Sequence, residues 1–256
     1  MSGAIYAFSG KGGSGKTTLA AMTVRHLIAM DRKPVLAVDA DPNATLGLAL
    51  GEEVSQTIAD LRDRMGQAAQ RISEIPKDRL MDQWLAEVLT EGVGFDLLTM
   101  GRPEGPRCYC YVNGLLRRYL KELRGNYPAV VVDCEAGMEY LSRLTVDDVD
   151  TLVLVAEATQ IGLTSARRVG QLADALPIQV HRRILAVNKI GLSPAAGADE
   201  PIEGLHVDAT VRVPFDMDLY SRTAQGRPVA EDGGEAWAAA EQIAHLCASA
   251  PGQRIT

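Results

Sequence analysis

The 256-residue sequence predicts a doubly wound α/β fold: a single domain, 1–256, with a mainly parallel sheet of about seven strands flanked by helices. Three observations carry that prediction. Short apolar runs recur at 4–9, 34–39, 95–100, 129–133, 151–156, 183–188 and 210–213, and they read as strands buried on both faces. Longer stretches with apolar residues at helical spacing fall between them, at 16–30, 112–123, 163–176 and 235–248. The alternation of the two is the order that builds a parallel sheet with crossover helices.

Taken in order, the first run ends in a glycine-rich turn and the second in an Asp-Pro turn. The interval 52–94 offers no clear strand, and Pro76 divides it into two helical runs. Beyond 95–100 a Gly/Pro spacer leads into the helix at 112–123. The stretch 193–201, rich in Ala, Gly and Pro, reads as an exposed loop. In the last helix Trp237, Ile243, Ala244 and Cys247 read as core contacts.

Composition narrows the function classes. An apolar fraction of 46% and a charged fraction of 23% are those of a soluble globular chain, and no stretch approaches the roughly 20 apolar residues of a membrane span. The chain begins without the basic region and cleavage site of a secretory signal, which leads us to expect a cytoplasmic protein. A net charge of -7 gives no global attraction to nucleic acid or anionic lipid. Four cysteines are too few for a disulfide framework, so their spacing matters more than their number.

The chemistry begins at Gly10-Lys11-Gly12-Gly13-Ser14-Gly15-Lys16-Thr17-Thr18, a Walker A motif placed between a strand and a helix. Glycines allow backbone N–H groups to turn inward around phosphate oxygens, the helix N-terminus adds positive potential, and Lys16 sets a cation beside the transferring phosphate. Thr17 is the expected Mg²⁺ ligand, and Gly12, Gly13, Ser14, Gly15 and Thr18 complete the cradle for ATP or ADP. Val38-Asp39-Ala40-Asp41-Pro42-Asn43 closes the second strand. There Asp41 is the candidate for orienting the attacking water, and Asp39 supports Mg²⁺ through a water. Val130-Val131-Val132-Asp133 ends in a second acid that binds Mg²⁺ indirectly, with the Gly137 N–H available to the γ-phosphate. Asn188 closes a later strand and can both donate to and accept from a purine edge; Pro214, Phe215 and Asp216 close the next.

Lys11, an additional lysine inside the loop, makes the sequence resemble the deviant Walker A ATPases, the class of MinD, ParA and the nitrogenase iron protein. The resemblance implies a homodimer in which Lys11 reaches the partner's nucleotide, as an arginine finger does. It also implies that the segments after Asp39 and Asp133 act as switches and that Asn188, Pro214, Phe215 and Asp216 hold adenine.

The cargo must be sought outside this engine. Met100-Gly101-Arg102-Pro103-Glu104-Gly105-Pro106-Arg107-Cys108-Tyr109-Cys110 places a C-x-C pair at the start of a helix, where the helix dipole and nearby arginines favour thiolates. Two thiolates are half of a soft-metal site, and a two-fold dimer brings four together, a set that suits Zn²⁺ or Ni²⁺. With Asp133-Cys134-Glu135-Ala136-Gly137-Met138-Glu139-Tyr140, this run resembles the CooC family, nickel-insertion ATPases for carbon monoxide dehydrogenase. Tyr140 stands where that family has histidine, and Tyr111-Val112 replaces its Pro-Glu. The resemblance implies an ATP-closed dimer that binds nickel or zinc through Cys108 and Cys110 of both subunits and delivers it to a nickel enzyme.

Two rivals use the same engine. A positioning ATPase on DNA or membrane needs a basic surface or tail; Arg117, Arg118, Lys121 and Arg124 form the one basic stripe, read here as a solvated helix face, and the C-terminus is nearly uncharged. An iron-protein-like reductase needs cysteines in separated segments to bridge a cluster, and Cys134 is its candidate, read instead as a strand end packed in the core. His26, His181, His206 and His245 have no metal-ligand spacing.

Overall fold

In the computed structural model, which describes residues 3–68, 84–102, 110–135, 148–192, 202–229 and 234–249, the predicted apolar runs become strands of one sheet. The strands are β1 (Ala4–Gly10), β2 (Val35–Ala40), β3 (Leu89–Gly92), β4 (Phe95–Thr99), β5 (Ala129–Cys134), β6 (Asp148–Val149), β7 (Thr151–Glu157), β8 (Gln179–Val180), β9 (Arg183–Ile190) and β10 (Ala209–Pro214). Eight lie in the order β10-β9-β7-β1-β5-β2-β4-β3, while β6 and β8 form a separate parallel pair. Every neighbouring pair in the large sheet is parallel except β3 and β4.

That antiparallel strand corrects the expectation that 52–94 holds none. Leu89-Thr90-Glu91-Gly92 folds back on Phe95 through the two-residue connection Val93-Gly94, with Gly94 at φ +81°. An edge strand needs hydrogen bonds on one side only, so this half-exposed tetrapeptide carries no buried apolar run to announce it.

The helices are α1 (Lys16–Ala29), α2 (Leu46–Leu50), α3 (Ile58–Ala68), α4 (Cys110–Leu123), α5 (Gln160–Ala175), α6 (Met217–Ala224) and α7 (Glu235–Ala248), with a further helical turn at 84–88. Helix α5 starts three residues before its apolar pattern because the Thr159 hydroxyl caps it, accepting from the Gly162 N–H at 3.0 Å. Pro76 and the stretch 193–201 lie outside the described residues.

Alternation along each strand divides the interior into two cores. Tyr6, Phe8, Val131, Val153 and Val155 pack on the side of α1 and α7, where Trp237 packs at the margin and Ile243, Ala244 and Cys247 are buried. Ile5, Ala7, Val130, Val132, Leu152 and Leu154 pack on the opposite side, with Leu116, Tyr119 and Leu120 of α4 and Leu163 and Val169 of α5. The sheet grows away from β1 in both directions, through β5 and β2 on one side and through β7 and β9 on the other. The carboxyl end of β1 is therefore the switch point where an open α/β sheet leaves a crevice.

Candidate nucleotide-binding site

The loop between β1 and α1 fills that crevice. Gly10 passes so close to the neighbouring strand that a Cβ there would lie 2.1 Å from the Val155 carbonyl oxygen. Gly15, at φ +96°, is the N-terminal cap of α1, and a Cβ on it would lie 2.2 Å from Asn188 Nδ2. The first turn of α1 carries no acidic residue of its own to offset the positive end of the helix. Lys16 is buried and its Nζ donates to the Lys11 carbonyl at 3.3 Å; the Ser14 N–H donates to the same oxygen at 3.2 Å. The buried Ser14 hydroxyl has no hydrogen-bond partner among the described residues. Lys11, Gly12 and Gly13 are exposed at the tip of the loop.

Two carboxylates close the crevice from below. Asp39 and Asp133 are register partners on β2 and β5, and both are buried. Asp39 is tied into its own segment: Oδ1 accepts from the Asp41 N–H at 3.1 Å and Oδ2 from the Leu46 N–H at 2.7 Å. Burial raises its pKa from 3.8 to about 6 against the pull of those two bonds. Asp133 Oδ2 accepts the Thr17 hydroxyl at 2.5 Å, while its Oδ1 is buried without a partner among the described residues. Burial, and then the negative charge of Asp39, push the Asp133 carboxyl up to about 7 despite Thr17 and Lys16. A buried acid with an orphaned oxygen beside a hydroxyl and next to a second acid is a donor set that fits a divalent cation.

The remaining predicted residues gather around this centre. Asp41 is half-exposed, and its Oδ1 accepts from both the N–H and the side-chain amide of Asn43 at 2.9 and 2.8 Å. Thr18, Asn188, Pro214, Phe215 and Asp216 line one cleft together with Gly15, Lys189 and Tyr220. The Phe215 and Tyr220 rings lie 5.8 Å apart at its wall. Asp216 also caps α6, its Oδ1 accepting from the Leu219 N–H at 2.9 Å. Asn188 Nδ2 donates to the Ser14 carbonyl at 2.8 Å and Oδ1 accepts from the Lys189 N–H at 2.8 Å. One amide N–H and one lone pair of Asn188 remain for a purine edge.

Sequence reasoning missed Lys189 and Glu157. Lys189 Nζ donates to the Gly13 carbonyl and to Glu157 Oε1, each at 2.7 Å, and its backbone has φ +60°. The only sequence signal is a lysine after the strand-closing asparagine, which by itself reads as a solvated charge.

Cys108 and Gly137 lie outside the described residues; Cys110 is the first residue of α4, and its side chain is likewise outside them. Cys134 is wholly buried, with its thiol pushed well above the usual range by burial, and Cys247 is buried with its thiol pushed up to about 12. A thiol so held is inert, which removes the geometric support for a cluster ligand at Cys134. Among the described residues no group of three or more His, Cys, Asp or Glu can hold a metal ion, and no helix is long and apolar enough to cross a membrane. The basic stripe is partly neutralised: Arg118 pairs with Glu122 at 3.0 Å, and Arg124 pairs with Asp150 at 3.4 Å.

A phosphate-type loop at the switch point, a lysine folded back within it and acids closing the two strands on one side define a P-loop nucleotide-binding ATPase. The sequence matches the CobQ/CobB/MinD/ParA nucleotide binding domain over residues 5–229, and the chain belongs to that family. It is 34% identical over 246 residues to an uncharacterized ATP-binding protein of Methanocaldococcus jannaschii, covering 94% of this chain and 96% of the relative. It is 32% identical over 237 residues to the carbon monoxide dehydrogenase accessory protein CooC of Rhodospirillum rubrum, covering 86% and 87%. Among solved structures, the septum site-determining protein MinD of Pyrococcus horikoshii, complexed with Mg-ADP, shares the fold with a TM-score of 0.69 at 24% identity, over 97% of this chain and 96% of that one.

Proposed function

We propose that this protein is a Mg²⁺-dependent ATP hydrolase that dimerises around ATP and carries nickel, or zinc, between two subunits for insertion into a carbon monoxide dehydrogenase-like enzyme in the cytoplasm. The observation that carries this reading is the similarity to CooC along most of both chains, joined to the Cys108-x-Cys110 pair in the sequence, whose second cysteine is the first residue of α4.

Thr17, with Asp133 and Asp39 behind it, would hold Mg²⁺, which when bound would supply positive charge to offset that of the nucleotide phosphates. Lys16 leaves the Lys11 carbonyl for the phosphates. Asp41, with Oδ1 engaged by Asn43, presents Oδ2 to the attacking water. The water oxygen bonds to the γ-phosphorus as the bond from that phosphorus to the β,γ-bridging oxygen breaks. ADP departs with the electron pair; of the water's two protons, one remains on the product phosphate and the other is released to solvent. Lys11 crosses to the partner's nucleotide and stabilises the charge on the transferring group. The Gly137 N–H senses the γ-phosphate, so hydrolysis releases the second switch and opens the metal site.

The test is transfer of nickel into a carbon monoxide dehydrogenase lacking it, with activity as the readout. Activation should require the metal-loaded protein and ATP, and a non-hydrolysable analogue should arrest it. Activation at the same rate with free nickel alone removes the delivery role and brings forward a positioning ATPase on DNA or membrane.

A further inference from the structure

Two consecutive side chains at the end of β9 face the same loop, which a regular strand forbids because neighbouring residues point to opposite faces. The register explains it. Arg212 and Pro214 of β10 pair with Val187 and Ile190 of β9, so β9 holds one extra residue against β10, and Lys189 takes φ +60° within this bulge. A lysine in the left-handed region is strained, and such strain persists where surrounding bonds fix it. Here the bonds run from Lys189 Nζ to the Gly13 carbonyl and Glu157 Oε1, and from Asn188 Nδ2 to the Ser14 carbonyl.

We infer that Lys189, held by Glu157, is a positioning residue for the phosphate loop. In a trans peptide the carbonyl and the following N–H point in opposite directions. Drawing the carbonyls of Gly13 and Ser14 toward the end of β9 turns the N–H groups of Ser14 and Gly15 the other way, into the loop. The Ser14 N–H does point across the loop, where it meets the Lys11 carbonyl. Glu157 closes β7 beside Asn188 in register, and its carboxylate holds the Lys189 ammonium at 2.7 Å. The bulge thus lets adjacent residues serve two ends of one ligand: both line the base cleft, where Asn188 keeps an amide N–H and a lone pair for the purine edge, while the Lys189 ammonium reaches the Gly13 carbonyl and sets the phosphate N–H groups before a nucleotide arrives.

This inference rests on the nucleotide reading, and pyrophosphate separates the two ends of the ligand. Affinities for ADP and for inorganic pyrophosphate are measured by calorimetric titration on the parent, Lys189→Met, Glu157→Gln and the double variant. Lys189→Met should weaken both ligands by the same factor, about tenfold, the loss of one charge-assisted hydrogen bond to the loop. Glu157→Gln, which keeps shape and an acceptor, should weaken both by about threefold, and the double variant should be no worse than Lys189→Met. Unchanged affinities in the variants overturn the inference, as does a loss for ADP without one for pyrophosphate, which moves Lys189 to the base end. If Lys189→Met does not fold, Glu157→Gln carries the same comparison. A parent that binds neither ligand overturns the nucleotide reading itself.

Discussion

Asp39 and Asp133 sit side by side as register partners on β2 and β5, two buried carboxyls near the strand ends, and Asp133 meets Thr17 in the first turn of α1. Each is more easily protonated in the fold than in the unfolded chain, mainly through burial. Between the ordinary value of 3.8 and native values of about 6 and about 7, the folded state retains protons that the unfolded state has released. Stability from this pair is therefore full below the ordinary value and lost as pH rises through the native values.

Replacing Asp133 by Asn removes one of these charges. Asp133→Asn should raise the stability of the nucleotide-free protein at pH 8 by about 1–3 kcal/mol and flatten its decline between about pH 4 and 7, while abolishing Mg²⁺-dependent stabilisation by nucleotide. Urea unfolding across that pH range measures it. A parallel decline in parent and variant would remove Asp133 as the source.

Thr17→Ala should act in the opposite direction on the bare fold. Without the hydroxyl at 2.5 Å, both oxygens of Asp133 are buried without a partner among the described residues, a loss of about 1–3 kcal/mol. Denaturant midpoints of the two variants should shift to opposite sides of the parent.

Gly15→Ala tests the packing of the loop against β9. A Cβ meets Asn188 Nδ2 at 2.2 Å on a backbone at φ +96°. We expect nucleotide affinity to fall at least about tenfold, with a cost to the fold of about 1–2 kcal/mol. Adding Asn188→Ala should recover part of the fold stability, and a double variant no more stable than Gly15→Ala would show that the close approach is not the cause.

Lys11 is exposed at the loop tip, in line with a role outside its own subunit. Lys11→Ala should leave ADP affinity within about twofold and reduce ATP turnover by at least about tenfold, with loss of the ATP-dependent rise in mass by light scattering. Turnover equal to the parent's would contradict action across a dimer.

Much of this architecture was legible in the chain because the physics behind it is local. Six strands announce themselves since a parallel strand covered on both faces must be apolar throughout, whereas β10, read from 210–213 as buried on both faces, is an edge strand in which exposed Thr210 and Arg212 alternate with buried Val211 and Val213. The phosphate loop announces itself since its backbone demands glycines. Leu89-Thr90-Glu91-Gly92 was hidden because an edge strand need not be buried. Lys189 was hidden for a different reason: its role depends on a register shift against β10, and nothing local in the sequence encodes a pairing with a segment twenty residues on. Asp39 was read for its charge, whereas its two backbone bonds, which hold the following segment in place, became visible only in the fold.

The central claim is that nucleotide state controls metal affinity through Cys108 and Cys110. The most direct measurement titrates Ni²⁺ and Zn²⁺ into the protein with no nucleotide, with ADP and with a non-hydrolysable ATP analogue, beside a Cys108→Ala/Cys110→Ala variant, while light scattering follows the mass. The account predicts about one metal per dimer, affinity that changes with nucleotide, and a variant that keeps nucleotide but loses metal. Metal binding that ignores nucleotide and survives loss of both cysteines would contradict it.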